Sequence, residues 1–224
     1  MLDQANRIFL QKNLPFWERL SKNDVEDLCS HTKLIKYNKG DNIYSAVKEC
    51  IGVLLIKSGE LRTYIMSEDG REITLYRLEE NSVCILSASC LLKNITFDVS
   101  IDAEKDSQVL LINSGLFERL QTEYEFVENF ALKIATDRFS DVMWTMEQIL
   151  FMSIDRRLAG FLVEESIKSI DNKLSVTHEK IAQYMGSARE VVSRMLKYFE
   201  KEGLVTLTRG KIELIDIDGL KALI

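Results

Sequence analysis

The sequence predicts an α+β fold with an N-terminal antiparallel β jelly-roll, a long helix and a C-terminal winged helix-turn-helix. Three observations carry that prediction. Short apolar or alternating runs recur from Leu34 to Ile112, separated by Gly40-Asp41, Ser58-Gly59, Asp69-Gly70 and Asn81-Ser82. Strands at such regular spacing, with Asp-Gly at a hairpin tip, argue for an antiparallel barrel or jelly-roll. The stretch from Glu125 to Met152 then runs without Pro or Gly, as one continuous helix would. Finally, Ile181, Ala182 and Met185, followed by Val191, Val192, Met195, Leu196 and Phe199, trace helical stripes on either side of Gly186.

Residues 14 to 31 open the chain with amphipathic spacing: Phe16, Trp17 and Leu20, then Val25 and Leu28, with Ser21 or Asn23 as an internal cap. The barrel runs include Ile51 to Ile56, Leu61 to Met66, Ile73 to Leu78, Phe97 to Ile101 and Val109 to Ile112. Such a barrel can enclose a small ligand or be filled by its own side chains. Ser114 to Gln121 reads as a short helix before the long one.

Within the long helix Leu132, Ala135, Phe139, Val142, Met146 and Ile149 follow the 3-4-3-4 spacing of a two-helix seam. Phe130, Ile134, Met143, Trp144 and Leu150 add apolar surface outside it. One face is therefore expected to pack on the barrel of its own chain and another on a twin subunit.

Ser153 is the expected N-cap of a helix from Ile154 to Ser169, and Asp171-Asn172 interrupts the chain before the helix-turn-helix. Gly186 supplies the left-handed conformation of the turn. Ser187 with Glu190 forms a Ser-x-x-Glu capping box, which starts the second helix at about Ala188. Gly203 ends it, and Val205 to Thr208 and Ile212 to Ile215 make a two-stranded wing whose tip carries Arg209 and Lys211. The expected domains are 1–122, helices and barrel; 123–152, dimerisation helix; and 153–224, winged helix-turn-helix.

The second helix of the motif exposes Arg189, Glu190, Ser193, Arg194 and Lys197 opposite its valines. Arginine grips guanine bidentately and glutamate accepts from cytosine N4, so this face is suited to major-groove base edges. Ser187, Arg189, Glu190, Ser193, Arg194, Lys197, Arg209 and Lys211 are the candidate DNA-binding residues. The net charge of -6 argues against a nucleic-acid partner only until its distribution is read. Residues 173 to 211 carry a net +4 and leave -10 elsewhere.

At 46% hydrophobic and 29% charged, the 224 residues have the composition of a globular protein of one large or two modest domains. No run approaches a membrane span and the N-terminus has no signal-peptide pattern, so a cytoplasmic protein without a membrane partner is expected. Cys29, Cys50, Cys84 and Cys90 are widely spaced, and His31 and His178 are not placed beside them, so no structural zinc site is expected.

In this order the elements resemble the transcription regulators related to the cyclic-AMP receptor protein and the fumarate-nitrate reduction regulator, the Crp/Fnr superfamily. The resemblance covers essentially the whole chain. It includes Lys57-Ser-Gly-Glu-Leu-Arg62, Glu68-Asp-Gly-Arg-Glu-Ile73, Asp155-Arg-Arg-Leu-Ala-Gly-Phe-Leu162 and the helix-turn-helix. It implies a cyclic-nucleotide-binding-like sensor barrel, a homodimer on palindromic double-stranded DNA, base contacts by Glu190 and Arg194, and RNA polymerase as a further partner. Ser193 matches the oxygen-sensing branch and Arg189 the cyclic-AMP branch.

The sensor half departs from that family. Cyclic-nucleotide binders carry a Gly-Glu pair and an Arg-Ser or Arg-Thr for the cyclic phosphate, whereas here Asn81 to Leu92 and Phe97-Asp98 occupy those places. A phosphate with no arginine would be buried unpaired, so cyclic AMP is not expected. An iron-sulfur cluster, a haem at His31 or a cysteine, and a Cys84-Cys90 redox pair are the alternative sensing chemistries. The cofactor stays open, and an uncharged or unidentified small-molecule effector is placed near Cys84, Ser87, Ser89, Phe97, Val142 and Met143. A jelly-roll enzyme would need clustered His and carboxylate ligands, and no histidine lies between residues 34 and 112. A winged helix that binds protein is the remaining reading; its binding would be indifferent to Arg189 and Arg194.

Overall fold

The computed structural model describes residues 2–45, 51–85, 99–169 and 171–224. Cys50, Ser87, Ser89, Cys90 and Phe97-Asp98 of the sequence reading lie outside the described residues. By contact density the chain forms two compact units, Met1–Ile65 with Leu75–Val142, and Met66–Thr74 with Met143–Ile224.

The first unit begins with a helix that the apolar spacing did not reveal, α1 (Gln4–Asn13), capped by the Asp3 carboxylate on the Asn6 amide and anchored by buried Leu10. Its sequence is too polar for a strong stripe. A turn at Trp17–Arg19 leads to α2 (Lys22–Ser30), whose N-cap is Ser21, accepting from Asp24 N. The expected break within residues 14 to 31 is present, and of the two candidate caps Ser21 takes the role.

Among the described residues eight strands follow: β1 (Thr32–Tyr37), β2 (Asn42–Tyr44), β3 (Val53–Ser58), β4 (Leu61–Met66), β5 (Glu72–Leu78), β6 (Val83–Cys84), β7 (Ser100–Ala103) and β8 (Ser107–Ile112). They form two four-stranded antiparallel sheets, ordered β1-β8-β3-β6 and β2-β7-β4-β5, which is the predicted jelly-roll. Gly59, at φ +95°, turns the chain between β3 and β4, where a Cβ would sit 2.2 Å from Ser107 Oγ.

Strand alternation explains why β3 reads as a continuous apolar run. Leu54 and Ile56 face the core shared with Leu61, Leu78, Ile101 and Val109. Val53 and Leu55 face the opposite core with Leu10, Leu28, Phe117, Leu120 and Val127 from the helices. The first sheet is therefore buried on both faces at β3. The helices on its outer side include α3 (Ser114–Glu123), capped by Asn113, and the start of α4 (Glu125–Phe151).

The second unit contains α5 (Ile154–Ile167), α6 (His178–Met185), α7 (Arg189–Lys201) and α8 (Ile217–Leu223). Their core joins Leu158 and Leu162 to Ile181, Ala182, Met185, Val192, Leu196 and Phe199. The wing has three strands rather than two: β10 (Val205–Thr208) pairs with β11 (Lys211–Leu214), which also pairs with β9 (Lys173–Leu174). A two-residue strand leaves no periodicity to read.

The expected capping box does not form. The N-cap of α7 is Ala188, which makes no side-chain cap bond. Ser187 belongs instead to the end of α6, where its amide donates to Ala182 O at 2.9 Å and Gly186 takes the left-handed conformation at φ 59°, ψ 39°.

Candidate functional site

Helix α7 is amphipathic along its whole length. Val192, Leu196 and Phe199 are fully buried, so the periodicity of 3.6 turns Arg189, Glu190, Arg194 and Lys197 outward, and all four are exposed. Helix α6 fixes that orientation through the left-handed Gly186 and its Thr177 N-cap, which accepts from Lys180 N at 3.1 Å. Arg157 on α5 donates to the Met185 carbonyl at the other end of α6.

Arg209 and Lys211 stand exposed at the tip of the β10–β11 hairpin. Glu200, near the end of α7, accepts from Leu207 N at 3.0 Å and ties the hairpin to the helix. A cleft of about 360 Å³ lies between the wing and the start of the motif, lined by Thr177, His178, Arg189, Thr208 and Lys211 among others. Its cations, Arg189 on α7 and Lys211 on β11, come from two separate elements, and their charge invites an anion such as a backbone phosphate.

Two positions differ from the sequence reading. Ser187 is half-buried in the turn. Ser193 Oγ shares a 2.9 Å hydrogen bond with His178 Nδ1, the donor being set by the imidazole tautomer. His178 was not among the candidates, and it enters the site through that bond. Burial, then the nearby Arg189 and Lys197 charges, hold its pKa below the ordinary histidine value.

Of the residues named for an effector, Cys84 and Val142 meet in one core. Cys84 is buried in the barrel core and Val142 packs against that core. Met143 is 46% exposed, while Ser87, Ser89 and Phe97 lie outside the described residues.

The six seam residues divide in the same way. Leu132, Phe139 and Met146 are exposed, whereas Ala135 packs on the outer core and Val142 on the barrel core of their own unit. Ile149 is half-buried. Among the described residues no group of three or more His, Cys, Asp or Glu could hold a metal ion, and no helix is long and apolar enough to cross a membrane.

Comparison with known proteins agrees with this architecture. Residues 34–124 match the cyclic nucleotide-binding domain family and residues 156–223 the Crp-like helix-turn-helix domain family. A crystal structure of a regulator assigned to the Crp/Fnr family, from Eubacterium rectale ATCC 33656, is 43% identical and superposes with a TM-score of 0.91 over 95% of this chain and 98% of that one. The transcriptional regulatory protein btr of Bordetella pertussis is 25% identical over 211 residues, covering 90% of this chain and 86% of its own. The transcriptional activator protein anr of Pseudomonas aeruginosa is 24% identical over 211 residues, covering 89% and 85%. With its β-barrel of the cyclic nucleotide-binding type, long helix and winged helix-turn-helix in this order, the chain belongs to the Crp/Fnr family of DNA-binding transcriptional regulators.

Proposed function

We propose that the protein is a homodimeric, sequence-specific regulator in which α7 reads the major groove of a palindromic site and the barrel responds to an effector other than cyclic AMP. The observation that carries this reading is the outward face of α7, where Arg189, Glu190, Arg194 and Lys197 are exposed while the opposite face is anchored in the core. Glu190 and Arg194 are assigned to base edges. Arg189, Lys197, Arg209 and Lys211 border the phosphates, with Ser193 held by His178.

The dimer seam is redrawn from exposure. Leu132, Thr136, Phe139, Met143, Met146 and Leu150 are exposed and follow an unbroken 4-3-4-3-4 spacing on α4, one face of a two-stranded coiled coil. Ala135 and Val142, which the first spacing included, serve the chain's own cores. Two such subunits place their α7 helices on half-sites about one helical turn apart. The domain limits 1–122, 123–152 and 153–224 are proposed on the same basis, with RNA polymerase as the partner that reads the bound dimer.

Selection of binding sites from random duplexes, followed by fluorescence anisotropy, tests the reading. The wild type is expected to enrich a palindrome. Arg194→Ala is expected to lose about 1–3 kcal/mol on it and to relax preference at one position per half-site. Enrichment of no sequence, or unchanged preference in the variant, would overturn it.

A further inference from the structure

A histidine of the second unit is tied to the face of α7 assigned to DNA. His178, the first residue of α6, lines the cleft of about 360 Å³ together with Arg189 of α7, Thr208 of β10 and Lys211 of β11. Its Nδ1 lies 2.9 Å from Ser193 Oγ on α7, and both side chains are half-buried. Nδ1 is thereby committed to α7, while Nε2 makes no hydrogen bond among the described residues.

A proton changes what this pair can offer. A neutral imidazole carries one N–H, and a serine hydroxyl carries one O–H. If the ring hydrogen is on Nε2, the Ser193 hydroxyl donates to Nδ1 and only Nε2–H remains for another group. If it is on Nδ1, that N–H donates to Ser193 Oγ; the hydroxyl hydrogen is then free, but Nε2 presents a lone pair. The neutral pair thus gives an outside acceptor one donor in either tautomer. The imidazolium gives two, Nε2–H and the Ser193 O–H, and adds a positive charge.

The surroundings set which form is present. Arg189 and Lys197 act on the ring from α7, Lys211 shares its cleft from the wing, and Glu179 lines the same cleft from α6. Burial, then the Arg189 and Lys197 charges, keep the free protein's ring neutral near pH 7. A DNA strand in the cleft supplies acceptors for both donors, and its phosphates offset the cations that oppose a further positive charge. DNA therefore prefers the imidazolium, and by reciprocity bound DNA draws a proton onto the ring.

We propose that the His178–Ser193 pair is a proton-dependent DNA contact: the cognate duplex binds with uptake of up to one proton at each His178, so affinity rises as pH falls through the histidine range. The inference rests on the reading of α7 as the major-groove helix and adds control of that same site by protons. The gain in affinity is complete below the pKa of the free protein, which lies under the ordinary value of about 6.5. It is lost as pH rises through the higher pKa of the complex.

Fluorescence anisotropy on the duplex that the wild type enriches, at fixed salt and at pH values from 7.5 down to 5.5, tests it. The wild-type Kd is expected to fall about tenfold over that interval, within the limit of roughly tenfold per pH unit for each proton taken up. The chain has two histidines. His178→Gln keeps a side chain able to bond Ser193 and is expected to flatten the profile, whereas His31→Gln, at the exposed C-cap of α2, is expected to keep it. Salt dependence separates a charge placed on DNA from a merely structural role. The log–log slope is expected to be steeper at pH 5.5 than at 7.5, by up to about one for each subunit, in the wild type and equal at the two in His178→Gln. Wild-type calorimetry near pH 6.5, in two buffers of different ionisation heat, is expected to register proton uptake on binding. A sequence-specific but pH-indifferent Kd, or a profile that survives in His178→Gln, overturns the inference and leaves the DNA reading intact. Failure to select any sequence at any pH defeats that reading, and the inference with it.

Discussion

Helices α7 and α4 both carry polar groups that the fold does not use internally, and they carry them at opposite cost. Arg189, Glu190, Arg194 and Lys197 stand in solvent, where an unpaired charge costs almost nothing. Arg138 Nε on α4 is buried without a hydrogen-bond partner among the described residues, where it is a debit against a marginal total stability. Exposed charges are common enough that their meaning comes only from the helix that aims them. Buried polar atoms without partners are rare, so each one calls for an explanation of its own.

The largest test of this contrast is made on the inner face of α7. Phe199→Ala is expected to cost about 3–5 kcal/mol in denaturant unfolding, because a fully buried ring leaves a cavity at the hub of its unit. A cost below about 1 kcal/mol would mean that the core does not hold the outward face in place.

Asp24 provides the intermediate case, a buried charge whose partners are all present. It accepts from Ser21 Oγ at 2.6 Å, Tyr124 OH at 2.7 Å and Arg119 NH1 at 2.8 Å. The Ser21 and Tyr124 hydrogen bonds, above all, lower its pKa from 3.8 to about 2. The folded state therefore binds the proton more weakly than the unfolded one. The stability this contributes is complete above the ordinary carboxylate pKa and is lost as pH falls from there toward 2. Asp24→Asn is expected to cost about 2 kcal/mol at neutral pH and to flatten that acid limb. An unchanged slope of stability against pH below 4 in the variant would contradict the assignment.

Arg194→Ala, by contrast, is expected to leave unfolding within about 0.5 kcal/mol of wild type, as for any surface substitution, while weakening cognate DNA. At the seam, Phe139→Glu is likewise expected to keep the fold and to give a monomer in sedimentation velocity; a persisting dimer would reject the exposed stripe on α4. The smallest effect belongs to His178. Its pKa is lowered, chiefly by burial, so the folded state favours the neutral ring. The contribution is present above about 6.5 and is lost as pH falls below it. His178→Gln is expected to remove that slight acid sensitivity, which thermal melts between pH 7.5 and 5.5 would detect.

What could be read in the sequence follows the range over which each feature is encoded. The stripes around Gly186 and the Asp69-Gly70 turn are local patterns, and the fold bears both out. The seam proposed from exposure differs in phase from the one spacing suggests, because Ala135 and Val142 pack against cores to which distant strands contribute. Ser187 looked like a cap because Glu190 follows at the right interval, yet its amide is engaged in closing α6. The His178–Ser193 pair joins residues that no local rule connects.

The sheet β1-β8-β3-β6 has a consequence in time. Its central strands β8 and β3 are covered on both faces and paired along both edges, so no partial opening frees their amides. In heavy water these should be the last to take up deuterium, at the rate of global unfolding, which makes Leu54, Leu55, Leu110 and Leu111 internal clocks for the life of the native state.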